Sequence, residues 1–155
     1  MSAKWKPDGY HTATPYLIMR QAAAAIEFYK RAFAAEELFR LPMGELIGHA
    51  ELRIGDSVLM LADEQPGALS VSPAALGGTT FGLMLYVPDV DARFATALAA
   101  GGTELRPIAD QFYGDRSGSL RDPFGHVWTI ASHTEDVSPE QIDERLRAMH
   151  PAAGS

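Results

Sequence analysis

The run His49-Ala-Glu-Leu-Arg-Ile54 alternates polar and apolar residues, a spacing that sets three chemically competent side chains on one side of a strand. If Ala50, Leu52 and Ile54 pack into a core, His49, Glu51 and Arg53 must face the other way. An imidazole two residues from a carboxylate suits general-base chemistry or part of a metal site, and a guanidinium suits carboxylate or phosphate recognition. A second run, Arg116 to Arg121, offers Ser117, Ser119 and Arg121 by the same parity, and Thr129 joins them from the next strand. Upstream, Gln111-Phe-Tyr-Gly-Asp-Arg-Ser117 places Phe112 and Tyr113 where they can stack a flat organic ligand. These nine residues form the candidate ligand-binding set. A plainer reading stays open for each: polar side chains satisfying one another across strands, a structural histidine, and rings that close one end of a sheet.

The two strands correspond because the chain repeats. Thr14 to Leu61 and Gly82 to Thr129 overlay without a gap, since 82−14 and 129−61 are both 68. In each copy an apolar strand (Pro15–Met19; Leu83–Val87) precedes an amphipathic helix and then three short strands. Ile26, Tyr29 and Phe33 make the stripe of the first helix, Ala22 to Ala35. Val90, Phe94 and Leu98 make that of the second, which Asp89 caps and Gly101-Gly102 stops. Gly55-Asp56 turns the first repeat into Val58–Leu61, and Asp122-Pro-Phe-Gly125 turns the second into Val127–Ile130. In this register Arg53 matches Arg121, so the two guanidinia could clamp one carboxylate or phosphate, unless Glu51 neutralises them. A tail helix follows, with Ser138 as cap, Pro139 at its first position, Gln141 completing a capping box and Ile142, Leu146 and Met149 as stripe. Met1 to Ala13 and His150 to Ser155 read as loose ends.

The fold class expected is α+β: two tandem βαβββ modules forming a pseudo-twofold, partly open mixed sheet around a pocket, plus a C-terminal helix. One domain spans 1–155, with module 1 at about 12–63, a Pro-, Gly- and Ser-rich linker at 64–78, module 2 at about 79–133 and the helix at 138–149. A chain of 155 residues with 46% hydrophobic content can bury an ordinary core, and it carries no apolar run long enough to span a bilayer. The amino terminus lacks a secretory h-region and there are no cysteines, which together predict a cytoplasmic protein without disulfides or thiolate metal sites. A net charge of −7 disfavours nucleic acid and anionic membrane surfaces as partners.

A duplicated strand-helix-three-strand unit of this size resembles the vicinal oxygen chelate superfamily, over roughly Thr12 to Ser132. Ile26-Glu-Phe-Tyr29 looks like its first-helix signature, Val87-Pro-Asp-Val-Asp91 like the start of its second helix, and Asp122-Pro-Phe-Gly-His-Val-Trp128 like its last turn and strand. That superfamily holds glyoxalase I, extradiol dioxygenases, fosfomycin-resistance transferases and the bleomycin-resistance binding proteins. The branch nearest in character contains bleomycin-resistance-like and demethylubiquinone-methyltransferase-like sequences. Metal-dependent members hold a divalent ion through His or Gln on the first strand and Glu on the last strand of a module. Projected onto this chain those positions are Thr14, Leu61, Gly82 and Thr129, a set that cannot supply three imidazole or carboxylate donors. A slip of two residues, to Tyr16, Leu59, Met84 and Val127, does no better. The resemblance therefore implies a small-molecule-binding protein working without metal or other cofactor, with drug or metabolite sequestration as its use, built as a homodimer. The alternative is a lyase, isomerase or transferase of the same superfamily, with a rearranged metal site or with His49 or Glu51 as base. Trp128 has core parity, opposite to Thr129, and the Asp122-Pro-Phe-Gly125 turn is structural.

Overall fold

The computed structural model describes residues 2–151. In chain order its elements are β1 (Tyr16–Met19), α1 (Ala22–Phe33), β2 (Glu36–Met43), β3 (Leu46–Ile54), β4 (Ser57–Asp63), α2 (Pro73–Leu76), β5 (Gly82–Tyr86), α3 (Val90–Ala100), β6 (Thr103–Asp110), β7 (Asp115–Arg121), β8 (Val127–His133) and α4 (Pro139–Met149). They make two four-stranded mixed sheets of identical plan, β1-β4-β3-β2 and β5-β8-β7-β6, in which only the β1/β4 and β5/β8 pairs are parallel. The expected tandem βαβββ arrangement is present, as two open sheets.

α1 and α3 each lie over the apolar face of their own sheet, and the two modules meet through these helices. The centre of this seam is aromatic: Trp128 stands 4.6 Å from Phe33 and 5.3 Å from Tyr29 between ring centroids, and Phe124 lies against Phe28 and Tyr29. Burying side chains of this size stabilises by about 1.5–3 kcal/mol each. One polar group sits among them. The Asp122 carboxylate accepts Phe124 N and His126 N on one oxygen, at 2.9 and 3.0 Å, and Tyr29 Oη and Trp128 Nε1 on the other, at 2.6 and 2.9 Å. The last turn is thus structural, and its aspartate ties the first helix to the last strand.

The repeat is also visible at the helix starts. Gln21 precedes α1 in a left-handed conformation (φ 64) and gives it no side-chain cap, so Asp63 at the end of β4 accepts Ala22 N at 2.9 Å and Ile47 N at 2.7 Å. In module 2 the matching position on β8 is Ser132, which accepts Val90 N at 3.1 Å and donates to Val87 O at 2.6 Å.

The register of the repeat needs one correction. Arg53 pairs with Val58 and Arg121 with Val127, so 121−53 is 68 but 127−58 is 69. The last turn of module 2 holds one residue more than its counterpart at Gly55-Asp56, and that residue reverses the parity of β4 relative to the gapless overlay. Leu61, expected to face the pocket, is instead fully buried under α1, and Met60 takes the position equivalent to Thr129. The linker differs too: Ser72 Oγ accepts Ala75 N at 3.1 Å, and Pro73 begins the single turn of α2. The amino-terminal segment is tied down, through Tyr10 Oη to Glu51 and His11 Nε2 to Asp56 O at 2.9 Å. Of the tail read as loose, His150 and Pro151 are described, while 152–155, like Met1, lie outside the described residues. The capping box of α4 forms as expected, and Arg145 anchors that helix to Glu135 at 2.6 Å and to Phe112 O at 3.2 Å. No α4 residue is buried.

Candidate functional site

The face of each sheet turned away from the helices is concave and open, and strand parity populates it. On the first sheet it carries Tyr16 and Ile18 from β1, Met60 and Ala62 from β4, His49, Glu51 and Arg53 from β3, and Phe39 and Leu41 from β2. Three of these residues, Tyr16, His49 and Glu51, join a hydrogen-bonded chain with Tyr10 of the amino-terminal segment. Tyr16 Oη lies 2.7 Å from His49 Nδ1, His49 Nε2 lies 3.1 Å from Glu51 Oε1, and Tyr10 Oη donates to Glu51 Oε2. The bonds from Tyr10 and His49 hold the Glu51 carboxyl below its usual range. An ionised carboxylate only accepts, so His49 donates from Nε2 to Glu51, and a neutral ring then presents its Nδ1 lone pair to the Tyr16 hydroxyl. Desolvation and the nearby Glu51 charge raise the Tyr16 phenol, while its bond to Glu51 raises Tyr10, so both remain proton donors. Phe39 flanks the imidazole at 6.2 Å and Tyr16 at 5.5 Å between centroids. Beside Tyr16 a hollow of about 620 Å³ opens between Ile18, Gly48, Ala62 and the linker segment Gln65 to Ser70.

The second sheet places the other expected residues. Ser119 Oγ and Thr129 Oγ1 lie 2.8 Å apart and satisfy one another, with Met84 next to Thr129 in register. Ser117 is buried. Phe112 and Tyr113 pack edge to face, 5.3 Å apart, in the β6–β7 turn, and Phe112 O receives Arg145. Nearby, buried Asp115 accepts Tyr86 Oη at 2.8 Å and lies 2.8 Å from His133 Nδ1, and the other ring nitrogen of His133 meets Asp136 at 2.8 Å. These two carboxylates, Asp136 first, push the His133 imidazole above its usual range.

The structure therefore brings His49 together with Glu51 and Ser119 together with Thr129, and it separates the two arginines. Arg53 is engaged by Glu36 at 2.8 Å on the first sheet, whereas Arg121 lies on the second and lines a different cleft. Reasoning from sequence did not place Tyr16, Tyr86, Tyr10 or Asp115 in a site, and it weighed His133, with His11 and His126, only as a third metal ligand beside His49 and Glu51, whereas His133 lies with Asp115 and Asp136 on the second sheet. The parity rule applied to β3 would have found Tyr16 and Tyr86, which alternate with Leu17 in the core and with Leu85 packed against it. Tyr10 comes from a segment with no periodic signal.

A divalent metal at the superfamily's usual position does not fit these residues. In the corrected register the concave positions of the paired strands are Tyr16, Ile18, Met60 and Ala62 in module 1 and Gly82, Met84, Tyr86, Val127, Thr129, Ala131 and His133 in module 2. They offer no carboxylate and a single imidazole, that of His133 at the end of β8, which Asp115 and Asp136 already engage, and a thioether is a poor ligand for a divalent first-row ion. Among the described residues no three His, Cys, Asp or Glu side chains converge in a metal-binding geometry.

Residues 10–130 match the Glyoxalase/Bleomycin resistance protein/Dioxygenase superfamily. An uncharacterised protein of Mycobacterium bovis is 45% identical over 141 residues, covering 88% of this chain and 92% of that protein. Protein YjdN of Escherichia coli is 27% identical over 139 residues, covering 76% and 92%. Among solved structures, TioX from Micromonospora sp. ML1 superposes with a TM-score of 0.63 at 26% identity, covering 83% of this chain and all of its own. The fosfomycin resistance protein FosX from Listeria monocytogenes shares the fold at a TM-score of 0.60 and 16% identity, covering 85% of this chain and 97% of its own. With its sheet plan and the matched span in agreement, this chain belongs to the glyoxalase/bleomycin-resistance/dioxygenase superfamily.

Proposed function

We propose that this chain is a metal-independent small-molecule-binding protein of the glyoxalase/bleomycin-resistance type, acting as a homodimer that sequesters its ligand on the concave sheet faces. One observation carries this reading: the strand positions to which the superfamily's metal ligands project bear Thr14, Met60, Gly82 and Thr129, while the same surface keeps exposed aromatic and aliphatic side chains suited to an organic ligand. Tyr16, Phe39, Leu41, Met84 and Tyr86 are all exposed there, an apolar area that a second copy would cover while completing the pocket. Thermal-shift measurements with divalent metals and with a library of planar drugs test it. Stabilisation by a drug and none by metals is expected. Stoichiometric zinc, iron or manganese in the purified protein, lost on changing His49, or a monomer at micromolar concentration in light scattering, would overturn it.

The Tyr16–His49–Glu51 chain favours a second reading, proton transfer without metal. An imidazole whose tautomer is fixed by a carboxylate is a competent base, and the phenol beside it a competent acid. Turnover of a glutathione hemithioacetal or a catechol that disappears in His49→Gln would select this reading over sequestration.

A further inference from the structure

We infer that the cleft between the two modules is a second binding site, for a small planar anion. This cleft has a volume of about 710 Å³ and lies between the β1–α1 turn, α2 and the β7–β8 turn. Its lining includes Arg20, Gln21, Thr79, Arg121 and Phe124, and no aspartate or glutamate. In a chain with 20 acidic and 13 basic residues, two arginines in a cleft without an acidic lining make a local reversal of sign.

The two guanidinia are presented differently. Arg121 is exposed at the end of β7 and, among the described residues, its side chain makes no hydrogen bond or ion pair. Arg20 is held by one nitrogen: its Nε donates to Glu64 Oε2 at 3.1 Å, which leaves both terminal nitrogens available. Glu64 is itself occupied by Ser72, through N and Oγ at 2.9 Å each, so its charge positions Arg20 and is shared with the linker. A fixed guanidinium and a free one lining the same cleft offer donors from two side chains, which a carboxylate or phosphate accepts. Phe124 and the flanking prolines 73 and 123 supply flat apolar walls for a ring attached to that group. The clamp that the repeat assigned to Arg53 and Arg121 thus forms with Arg20 in place of Arg53, and away from the concave faces.

Isothermal titration of the full chain with phenyl phosphate, benzoate and inorganic phosphate tests the site. Saturable binding of phenyl phosphate or benzoate with a Kd below about 1 mM is expected, and weaker binding of inorganic phosphate, which lacks a ring. Arg121→Ala and Arg20→Ala should each weaken binding at least about tenfold, Arg121→Lys less, and Arg106→Ala, on exposed β6, less than about twofold. In the unaltered protein the amide resonances of Gly77, Gly78 and Gly125 should shift with benzoate, a readout independent of any variant. No saturable binding of either ring-bearing anion, equal binding of inorganic phosphate, or loss in Arg106→Ala as large as in Arg121→Ala would each overturn the assignment.

Discussion

Asp122 offers the sharpest test of how the two modules are held together. Its carboxylate is buried and receives four donors, two from its own turn and two, Tyr29 Oη and Trp128 Nε1, from the intermodule seam. Asp122→Asn keeps the size but replaces one oxygen with an NH2 group, which then faces donors. Two of the four are left without an acceptor, at about 1–3 kcal/mol each, for a loss of about 2–4 kcal/mol after relaxation. Tyr29→Phe removes a single bond to a charged acceptor and should cost about 1.5–3 kcal/mol. For a domain of this size each kcal/mol lowers Tm by about 2–4 °C, and total stability is about 5–15 kcal/mol, so either change is easily resolved. Urea unfolding followed by the fluorescence of buried Trp128 measures both. Because Tyr29 acts through Asp122, adding Tyr29→Phe to Asp122→Asn should cost less than about 0.5 kcal/mol more. Full additivity in this cycle, or a loss below about 0.5 kcal/mol for Asp122→Asn alone, would refute the clasp.

Other expectations follow from the same geometry. Gly114 has φ +102 and a Cβ there would stand 2.1 Å from Glu135 O, so Gly114→Ala should destabilise by about 2 kcal/mol or more, whereas Gly44→Ala, with φ +62 but open space around it, should cost about 1 kcal/mol in the same denaturation assay. His133 has a folded-state pKa raised above 6.5, so its contribution is complete below that value and is lost as pH rises through the raised one; the stability difference between wild type and His133→Asn should shrink over that rise, and a ring-proton NMR titration should place its midpoint above 6.5. Glu51 is shifted the other way, below 4.5. Its contribution is complete above 4.5 and is lost as pH falls through the lowered value, so wild type should lose its advantage over Glu51→Gln in acid, as read by circular dichroism.

The modular plan was legible because its signals are local. Period-2 alternation in β3, the Asp89 and Ser138 caps and the capping box of α4 each depend on neighbours within a few residues. What escaped depends on counting or on long range. β2 and β6 carry register shifts, and β6 contains Pro107, so neither shows clean alternation. The parity of β4 turned on one residue in a turn, which a gapless overlay hides. α2 was readable in principle, since Ser72-Pro73 repeats the pattern of Ser138-Pro139. For the site, strand parity put His49 beside Glu51 and Ser119 beside Thr129, but the partners that complete the first cluster, Tyr16 and Tyr10, lie 33 and 41 residues away. Arg53 could not be read as engaged by Glu36 without the β2–β3 register.

The clasp between Tyr29 and Asp122 spans 93 positions, and the neighbouring contact of Phe33 with Trp128 reaches slightly farther along the chain. During synthesis the first module leaves the ribosome with the α3-facing and Trp128-facing side of its helix uncovered, and that cover is complete only when the final strand has been made. Strand pairing within that half can form early, but its helix locks only when the chain is nearly complete. The duplication thus gives two similar halves with unequal lives during synthesis: the first waits, sticky, for the second.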